Sequence, residues 1–154
     1  MTEESTPDIV VRGATIDDLG AIFHLGERLF TSEFPNLYRT WDEYEVTGLF
    51  HAEREYCLVA DAGGMLAGFA IGATVEKERT AWNYGHLTWL GVDPAWHRRG
   101  VASLLFDAFV QRLRSAGIRM LMVDTQADNE SALRFFRHKG LSNPTGHVYL
   151  TMAL

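Results

Sequence analysis

The order of β-rich and helical stretches is the feature that most limits the folds open to this chain. Short β-branched and aromatic runs alternate with stretches whose apolar residues recur at helical spacing. Asp93-Pro94 ends one long β-rich run, because proline has no N–H to donate to a sheet. The first part of the chain predicts a strand Ile9–Arg12, a helix from Thr15 to Phe30, a loop over 31–40, a helix Trp41–Phe50, a hairpin of Tyr56–Asp61 and Met65–Val75, and a fourth strand Trp82–Val92.

The remainder of the chain predicts a helix, a strand, a second helix and further β structure. The crossover from the fourth strand is long enough to make the next pairing parallel, whereas the hairpin is antiparallel. The predicted elements are a helix Val101–Ser115 closed by Gly117, a fifth strand Ile118–Asp124, a helix Asn129–Lys139 closed by Gly140, a broken segment Leu141–Gly146 and a terminal strand His147–Leu154. The expected fold class is α/β (α+β), a mixed, mostly antiparallel sheet with helices on both faces. We expect a single domain over 1–154, with a core over 8–154 and a flexible tail over 1–7.

The net charge of −6 is unevenly distributed along the chain. Residues 1–96 hold 6 basic and 16 acidic side chains, a net of −10, whereas residues 97–154 hold 8 and 4, a net of +4. An acidic total argues against nucleic acid as a partner, since nucleic-acid-binding surfaces are usually basic. The longest apolar run, Leu66–Ala73, is far shorter than the roughly 20 residues that cross a bilayer, so no membrane partner is expected.

The single cysteine and the N-terminal residues narrow the possible classes of protein further. Cys57 is the only cysteine, which excludes an intrachain disulfide, and its neighbours predict a small buried strand residue. No group of His, Cys and Asp residues has metal-ligand spacing, so no metal is expected. Residues 1–7 lack the basic and apolar segments of a secretory signal, and we therefore expect a cytoplasmic protein.

The stretch from Leu90 to Ala102 carries the chemistry. A strand ends, a short basic loop follows, and a helix begins at a glycine. The first turn of a helix has unpaired N–H groups and the positive end of the helix dipole. Gly100 and Ala102 let a ligand approach the backbone, while Arg98 and Arg99 add positive charge. The pattern favours a phosphate or pyrophosphate, although basic residues before a helix are also found on ordinary surfaces.

Two motifs resemble those of the GNAT superfamily of acyl-CoA-dependent N-acetyltransferases. His97–Ala102 is similar to the family loop Gln/Arg-x-x-Gly-x-Gly/Ala, with histidine at the first place. Asn129–Leu141 is similar to the family block Asn-x-x-Ala-x-x-Phe/Leu-Tyr-x-x-x-Gly-Phe, and Gly91–Pro94 resembles the family's strand end. The order of elements over 8–154 matches as well. The resemblance implies acetyl-CoA (CoA) as co-substrate, with no metal, and a cofactor site built from Leu90, Gly91, Val92, His97, Arg98, Arg99, Gly100, Val101, Ala102, Ser103, Asn129 and Phe136.

The resemblance also implies a reaction. A primary amine attacks the thioester directly in a ternary complex, while the pantetheine arm lies where the fourth and fifth strands splay apart. A backbone N–H near Leu90–Val92 would polarise the carbonyl. The family's usual proton donor, a tyrosine, is replaced by Phe136, so the thiolate leaves unassisted or another group assists it. Tyr149 and Tyr84 are the candidate substitutes, with Phe136 packing against pantetheine.

Two residues are candidates for the general base. His86 lies eleven residues before His97, a distance at which some family members carry a catalytic carboxylate, and an imidazole changes charge near neutral pH. Asp124 ends the fifth predicted strand, where other members carry a glutamate base; its alternative role is a strand-end cap or ion-pair partner. A chain of water molecules without a single base is the third possibility.

The resemblance also implies an acceptor site built by the first two helices, their loop and the region of the last two strands, here residues 30–50 and 143–149. Its candidate residues are Glu33, Phe34, Tyr38 and Trp41. Aromatic and acidic side chains suit a cationic amine with an apolar body. The same aromatic residues could instead anchor a helix on the sheet, and the acids could face only water. A small amine, an amino acid, an aminoglycoside and a peptide N-terminus remain open, as does a homodimer.

A different class of function also fits these residues. If Phe136 marks the loss of chemistry, the chain is a non-catalytic acyl-CoA-binding or regulatory GNAT-like module. The retained Gly100 loop argues against a role in protein contacts alone. Thiol release from acetyl-CoA separates an enzyme from a binding module.

Overall fold

The computed structural model describes residues 5–30, 39–77 and 83–154. The chain divides into two compact units, Met1–Val123 and Asp124–Leu154, and each is described by itself. The first unit holds the sheet, three helices and the basic loop. The second holds one helix and the C-terminal residues.

The sheet of the first unit is mixed and mostly antiparallel, as predicted. Its five strands lie in the order of the chain, with three antiparallel pairings followed by one parallel pairing. The parallel pair follows from the helical crossover between its strands. The strands are β1 (Ile9–Gly13), β2 (Cys57–Ala62), β3 (Met65–Val75), β4 (Tyr84–Val92) and β5 (Leu121–Val123).

Polar residues mark the start of some of the helices. Asp42 precedes the second helix and its carboxylate accepts the Glu45 N–H at 2.7 Å, so this helix begins at Glu43, two residues later than the sequence predicts. Thr15 precedes the turn that leads into the first helix, as predicted. The helices are α1 (Leu19–Phe30), α2 (Glu43–Ala52), α3 (Val101–Ser115) and α4 (Glu130–His138), with 3-10 turns at Ile16–Asp18, Arg54–Tyr56 and Pro94–Trp96.

The two faces of the sheet bury different helices. On one face, Ile22 and Leu25 of α1 and Val46 of α2 pack with the strand residues Phe69 and Trp89. On the other face, α3 lies so close to the strands that a Cβ at Gly72 or Gly85 would overlap its side chains. Glycine is therefore required where α3 crosses the sheet. Helices on both faces were the expectation, and it is confirmed.

Cys57 occupies the position predicted for it. It is the first residue of β2, its side chain is 1% exposed, and burial raises the pKa of its thiol to about 11. A thiol that stays protonated and inaccessible does not act as a nucleophile at neutral pH.

The fifth strand is shorter than the predicted Ile118–Asp124. Gly117, with φ of 81°, closes α3, and the Ile118 N–H donates to the Leu113 carbonyl at 2.9 Å. This is the glycine-closed helix end in which the residue after the glycine still bonds to the last helical turn. Ile118 thus belongs to the helix end, and the strand begins at Leu121.

The predicted terminal strand His147–Leu154 is wrong in the structure, where the described residues 141–154 form neither helix nor strand. Alternating apolar residues indicate a strand only when another strand satisfies its backbone hydrogen bonds. Within residues 124–154 the only regular element is α4, which cannot supply such a partner. Val148, Leu150 and Met152 are accordingly exposed.

Candidate active site

The basic loop between β4 and α3 is held at its base by Asp93. The Asp93 carboxylate accepts the Ala95 N–H at 2.9 Å and a bond from the Arg28 guanidinium of α1 at 3.1 Å. These two contacts lower the pKa of Asp93, the backbone bond most strongly. Pro94 opens a 3-10 turn that buries Trp96. The Asp93 hydrogen bonds and the buried Trp96 therefore hold the start of the loop in place.

The tip of the loop turns through two left-handed residues. Arg98 has φ of 63° and Gly100 has φ of 71°, and both are exposed. Arg98 is unusual, because side chains with a Cβ rarely adopt positive φ outside strained functional segments. The Arg99 guanidinium lies 4.9 Å from the centroid of the Trp96 ring, so it stacks on the aromatic residue at the base of the loop. The two arginines thus differ, since Arg99 is stacked on Trp96 whereas Arg98 is exposed at the bend.

The N-terminus of α3 is open to a ligand. Gly100 occupies the N-cap position, offers no side chain to cap the helix and has free space where a Cβ would lie. The first intrahelical bond runs from the Leu104 N–H to the Gly100 carbonyl at 3.0 Å, so the N–H groups of residues 101–103 precede it. A 15-residue helix with small side chains at Ala102 and Ser103 presents these donors and a positive dipole end. Such an arrangement suits an anion.

A bulge in β4 changes the face to which its side chains point. Leu87 pairs with Gly72 and Trp89 pairs with Ile71, which leaves Thr88 without a partner on β3. A Cβ at Gly85 would meet Leu113 of α3, whereas a Cβ at Gly91 would meet Leu29 of α1. These two glycines are six residues apart and would share one face in a regular strand. The extra residue therefore reverses the alternation at Thr88.

The same bulge marks the end of the pairing between β4 and β5. The parallel register covers only Gly85–Leu87 of β4 against Leu121–Val123. From Thr88 to Val92 no strand of the described residues pairs with this edge of β4. This divergence is what the resemblance implied for the pantetheine arm, and the edge includes the predicted residues Leu90, Gly91 and Val92.

His86 lies in β4 two residues before the bulge. It is half-buried and pairs with Ala73 of β3 and Met122 of β5. Strand alternation puts it on the face opposite Gly85, which is the face of α1 and α2. Tyr84 shares that face and is also half-buried. The bulge brings Trp89 to the same face, so His86 and Trp89 lie on the side where the acceptor is expected.

Trp41 anchors the helices on the sheet. Its indole N–H donates to the Phe23 carbonyl at 3.0 Å, and its ring stacks on Phe69 at 5.4 Å between centroids. A Cβ at Gly26 would overlap the Trp41 ring, so the indole packs directly on the backbone of α1. These contacts favour the anchoring alternative over acceptor recognition. Glu33, Phe34 and Tyr38 lie outside the described residues.

Acidic side chains in the first unit are largely engaged in structural contacts. Glu45 accepts the Trp89 indole N–H at 3.1 Å, and Glu53 accepts both the N–H and the hydroxyl of Thr74 at 2.9 and 2.7 Å. Arg12 binds Asp18 and Asp61 at 2.7 and 3.1 Å. The negative charge of residues 1–96 is therefore a weaker argument for a cationic acceptor than the charge total indicates.

The remaining predicted site residues belong to the second unit. The Asn129 side chain caps α4 by accepting the Ala132 N–H at 3.2 Å, a structural role that the Asn-x-x-Ala spacing already allows. Phe136 is half-buried beside Phe135, with ring centroids 5.3 Å apart. Asp124 is exposed, and the half-exposed Tyr149 ring lies 4.6 Å from the His147 ring.

Two features of the first unit do not follow from the sequence pattern. One is the bulge at Thr88, and the other is Arg39, which donates a hydrogen bond to the Thr88 carbonyl and lies over the Trp89 ring. The spacing of Gly85 and Gly91 does not reveal the bulge, because only the structure shows that their close neighbours lie on opposite faces of the sheet. No pattern in the sequence indicates the partner of Arg39.

Neither a membrane-spanning helix nor a metal cluster is found among the described residues. None of the helices there has the length and apolar character needed to cross a membrane. Over residues 5–30, 39–77 and 83–154, no three His, Cys, Asp or Glu side chains come together as metal ligands would.

Comparison with known proteins defines the class. The profile of the Acetyltransferase (GNAT) family matches residues 24–141, which span the loop, the bulge and α4. The chain belongs to this family and is an acetyl-CoA-dependent N-acetyltransferase by that membership. Two local features of the first unit agree with this membership: the uncapped N-terminus of α3 and the edge of β4 that no strand of the described residues pairs with.

Individual relatives are more distant. The chain is 27% identical over 128 residues to [Ribosomal protein bS18]-alanine N-acetyltransferase of Escherichia coli (strain K12), covering 83% of this chain and 77% of that protein. The NatC complex bound to Gag peptide and CoA superposes with a TM-score of 0.77 at 16% identity, covering 90% of this chain and 87% of that one. AAC(6')-Iy in complex with the bisubstrate analog CoA-S-monomethyl-acetylneamine superposes with a TM-score of 0.75 at 17% identity, covering 96% and 99%. At these identities the two structures show the shared fold alone.

Proposed function

We propose that this protein transfers the acetyl group of acetyl-CoA to a primary amine by direct attack within a ternary complex. The observation that carries the proposal is the uncapped N-terminus of α3 behind the two left-handed residues Arg98 and Gly100. Backbone N–H groups of residues 101–103 would hold the pyrophosphate, and Arg98 would add charge at the bend. The same segment also contains His97 and Arg99 and is followed by Val101, the first residue of α3.

The open edge of β4 supports the rest of the co-substrate site. Strand residues without a pairing neighbour offer N–H and C=O groups to an extended ligand, as an added strand does. The pantetheine arm would lie along Thr88–Val92, and a backbone N–H there would polarise the thioester carbonyl. The amine nitrogen attacks the carbonyl carbon, the C–S bond breaks, and the CoA thiolate leaves.

A base must remove the amine proton, because an unperturbed amine is protonated at neutral pH. We favour His86, since it is half-buried on the β4 face shared with Trp89 and lies close in sequence to the bulge. Asp124, which is exposed, remains the second candidate.

Departure of the thiolate needs no dedicated acid. A CoA thiol is acidic enough to leave as the anion, so Phe136 in place of the family tyrosine is compatible with catalysis. Phe136 would then pack against pantetheine, and Asn129 would serve by capping α4. Tyr84 and Tyr149 stay as candidate proton donors, of which Tyr84 shares the β4 face with His86.

We further propose a peptide or protein α-amine as the first acceptor to test. A relative over most of the chain is a ribosomal-protein alanine N-acetyltransferase. The engagement of Glu45 and Glu53 in structural bonds argues against a polycation such as an aminoglycoside.

The test is release of free thiol from acetyl-CoA in the presence of four acceptors: a peptide with an N-terminal alanine, free alanine, a small alkylamine and an aminoglycoside. Cys57 is buried and adds little background in a thiol-reactive assay. We expect turnover with the peptide and an increase in Tm on adding acetyl-CoA. Tm stabilisation without thiol release by any amine would instead establish the binding-module alternative. If acetyl-CoA changes neither Tm nor thiol release, both functions are wrong.

Separate His86→Ala and Asp124→Ala variants test the base. Loss of a general base typically costs on the order of 100-fold or more in kcat and removes the acid limb of the pH–rate profile. We expect this for His86→Ala, with Asp124→Ala close to the wild type. Unchanged profiles in both variants would exclude both residues and leave a chain of water molecules.

A further inference from the structure

The bulge leaves the backbone of Thr88 without a sheet partner. On one side β3 pairs with Leu87 and Trp89 but skips Thr88, and on the other side β5 pairing ends at Leu87. Thr88 is only half-exposed. A partly buried carbonyl without a hydrogen bond is costly, so the bulge needs a donor from elsewhere in the chain to keep its shape.

Arg39 supplies that donor. Its guanidinium Nη2 donates to the Thr88 carbonyl, and the guanidinium carbon lies 4.6 Å from the centroid of the Trp89 ring. One planar group thus contacts two consecutive residues of β4 by different interactions. A lysine ammonium cannot make both contacts with the same geometry, because it has neither the plane nor the fork of donors.

The shape of the bulge decides what the site can do. It turns Trp89 and Gly91 toward α1 while His86 already faces that side, and it begins the edge that lies free of β5. A shift of about 1 Å in a reacting group can cost about 100-fold in rate. Arg39 contacts the bulge from outside the strand, directly after the residues 31–38 where the acceptor is expected.

We propose that Arg39 is a positioning residue that holds the Thr88 bulge in the form used for acetyl transfer. This inference rests on the proposed function. Its role is distinct from that of the loop at Gly100, which binds the co-substrate. The pyrophosphate is held at the loop and only the pantetheine arm lies along the bulged edge of β4, so loss of Arg39 lowers kcat far more than it lowers the affinity for CoA.

Arg54 is the matched control. Its guanidinium lies 4.8 Å from the centroid of the Phe50 ring, so it also stacks on an aromatic side chain. It is exposed, follows α2, and makes none of the contacts to β4 that the structure gives Arg39. Arg54→Met removes a stacked guanidinium without touching the bulge.

The experiment compares the wild type with Arg39→Met, Arg39→Lys and Arg54→Met. Steady-state kinetics with the best acceptor of the panel give kcat and KM, calorimetric titration with CoA gives Kd, and a thermal melt gives Tm. We expect kcat to fall about 10-fold or more in Arg39→Met, with partial recovery in Arg39→Lys. The CoA Kd should rise by about 3-fold at most, well below the change in kcat, because the pyrophosphate contacts at the start of α3 are retained. Arg54→Met should keep the wild-type kcat.

Each outcome decides the inference. A wild-type kcat in Arg39→Met overturns the positioning role while the proposed function stands. Parallel losses of kcat and CoA affinity in Arg39→Met, or the same kcat loss in Arg54→Met, show a merely structural role and also overturn it. If the wild type binds no CoA and releases no thiol, the proposed function fails, and the inference fails with it.

Discussion

The loop at His97–Ser103 and the aromatic side of β4 are built on different principles. The loop is exposed, and its form depends on backbone geometry, with φ of 63° and 71° at Arg98 and Gly100 and an uncapped helix behind them. The side of β4 that faces α1 and α2 is packed. There the Trp41 and Trp89 rings are in contact, the Trp89 indole N–H donates to the Glu45 carboxylate, and the Trp41 indole N–H donates to a backbone carbonyl. A site made of backbone N–H groups tolerates changes in side chains, whereas a packed site depends on each of them.

The largest expected effect falls on the packed region. A Cβ at Gly72 would overlap the His86 carbonyl oxygen and come within 2.6 Å of the Phe109 ring. Gly72→Ala should therefore lower the free energy of unfolding by about 2 kcal/mol, since overpacking of a core typically costs 1–3 kcal/mol. Chemical denaturation measures it, and kcat should fall as β4 moves.

Gly48→Ala in α2 is the control for that substitution. A Cβ at Gly48 would meet nothing within 4 Å, so alanine should be neutral or stabilising, by roughly 0.5–1 kcal/mol, because it restricts the unfolded chain. Equal stability of Gly72→Ala and Gly48→Ala would contradict the close packing of β3, β4 and α3.

The loop should respond in affinity for CoA as well as in stability. Gly100 and Gly117 lie at opposite ends of α3, both with positive φ and both with open space around a Cβ. Valine at either position is strained by about 1–3 kcal/mol. Only Gly100→Val should weaken CoA binding, by about 10-fold, which titration calorimetry measures. Similar CoA affinities for the two variants would remove the loop from the site.

The smallest effect concerns the acidic side chains of the first unit. The hydrogen bond from Arg12 holds the pKa of Asp18 at about 2, below its ordinary value near 3.8. A lowered folded-state pKa contributes stability above about pH 4 that is lost as the pH falls toward 2. Asp18→Asn should flatten this dependence by about 1 kcal/mol or less, because Arg12 is partly exposed to solvent.

Asp17→Asn is the matched control, since Asp17 is the exposed neighbour and has no ion pair among the described residues. Urea denaturation at pH 4 and pH 2 provides the comparison. A wild-type slope in Asp18→Asn would mean that the acid does not stabilise the fold through Arg12, and the charge of residues 1–96 would regain its weight as an argument for a cationic acceptor.

Sequence patterns predicted the loop well because its determinants are local. Gly100, the basic residues before it and the amphipathic period of α3 all lie within one stretch of chain. The helix and strand order follows from similar local signals, such as Thr15 and Gly117. The bulge at Thr88 was out of reach, since it depends on the register between β3 and β4. The partner of Arg39 lies 49 residues away in sequence, and nothing local encodes that distance.

Dependence on a partner distant in sequence also explains why the predicted strand at residues 147–154 is wrong. The alternation over His147–Leu154 is a local signal for a strand, but a strand exists only with a neighbour, and α4 provides none in the second unit. The same limit applies to Trp41, whose aromatic character fits an acceptor site and a packing anchor equally until its contacts with Phe23 and Phe69 are known.

In the proposed complex, backbone groups at the start of α3 and along the open edge of β4 hold the co-substrate. Amide chemical shifts of the isotopically labelled protein, recorded during a titration with CoA, test it directly. We expect the largest changes at residues 98–103 and 88–92, with β1 and β2 unaffected. Saturable binding with its largest changes on other elements, and none at Gly100 or its neighbours, would contradict the account.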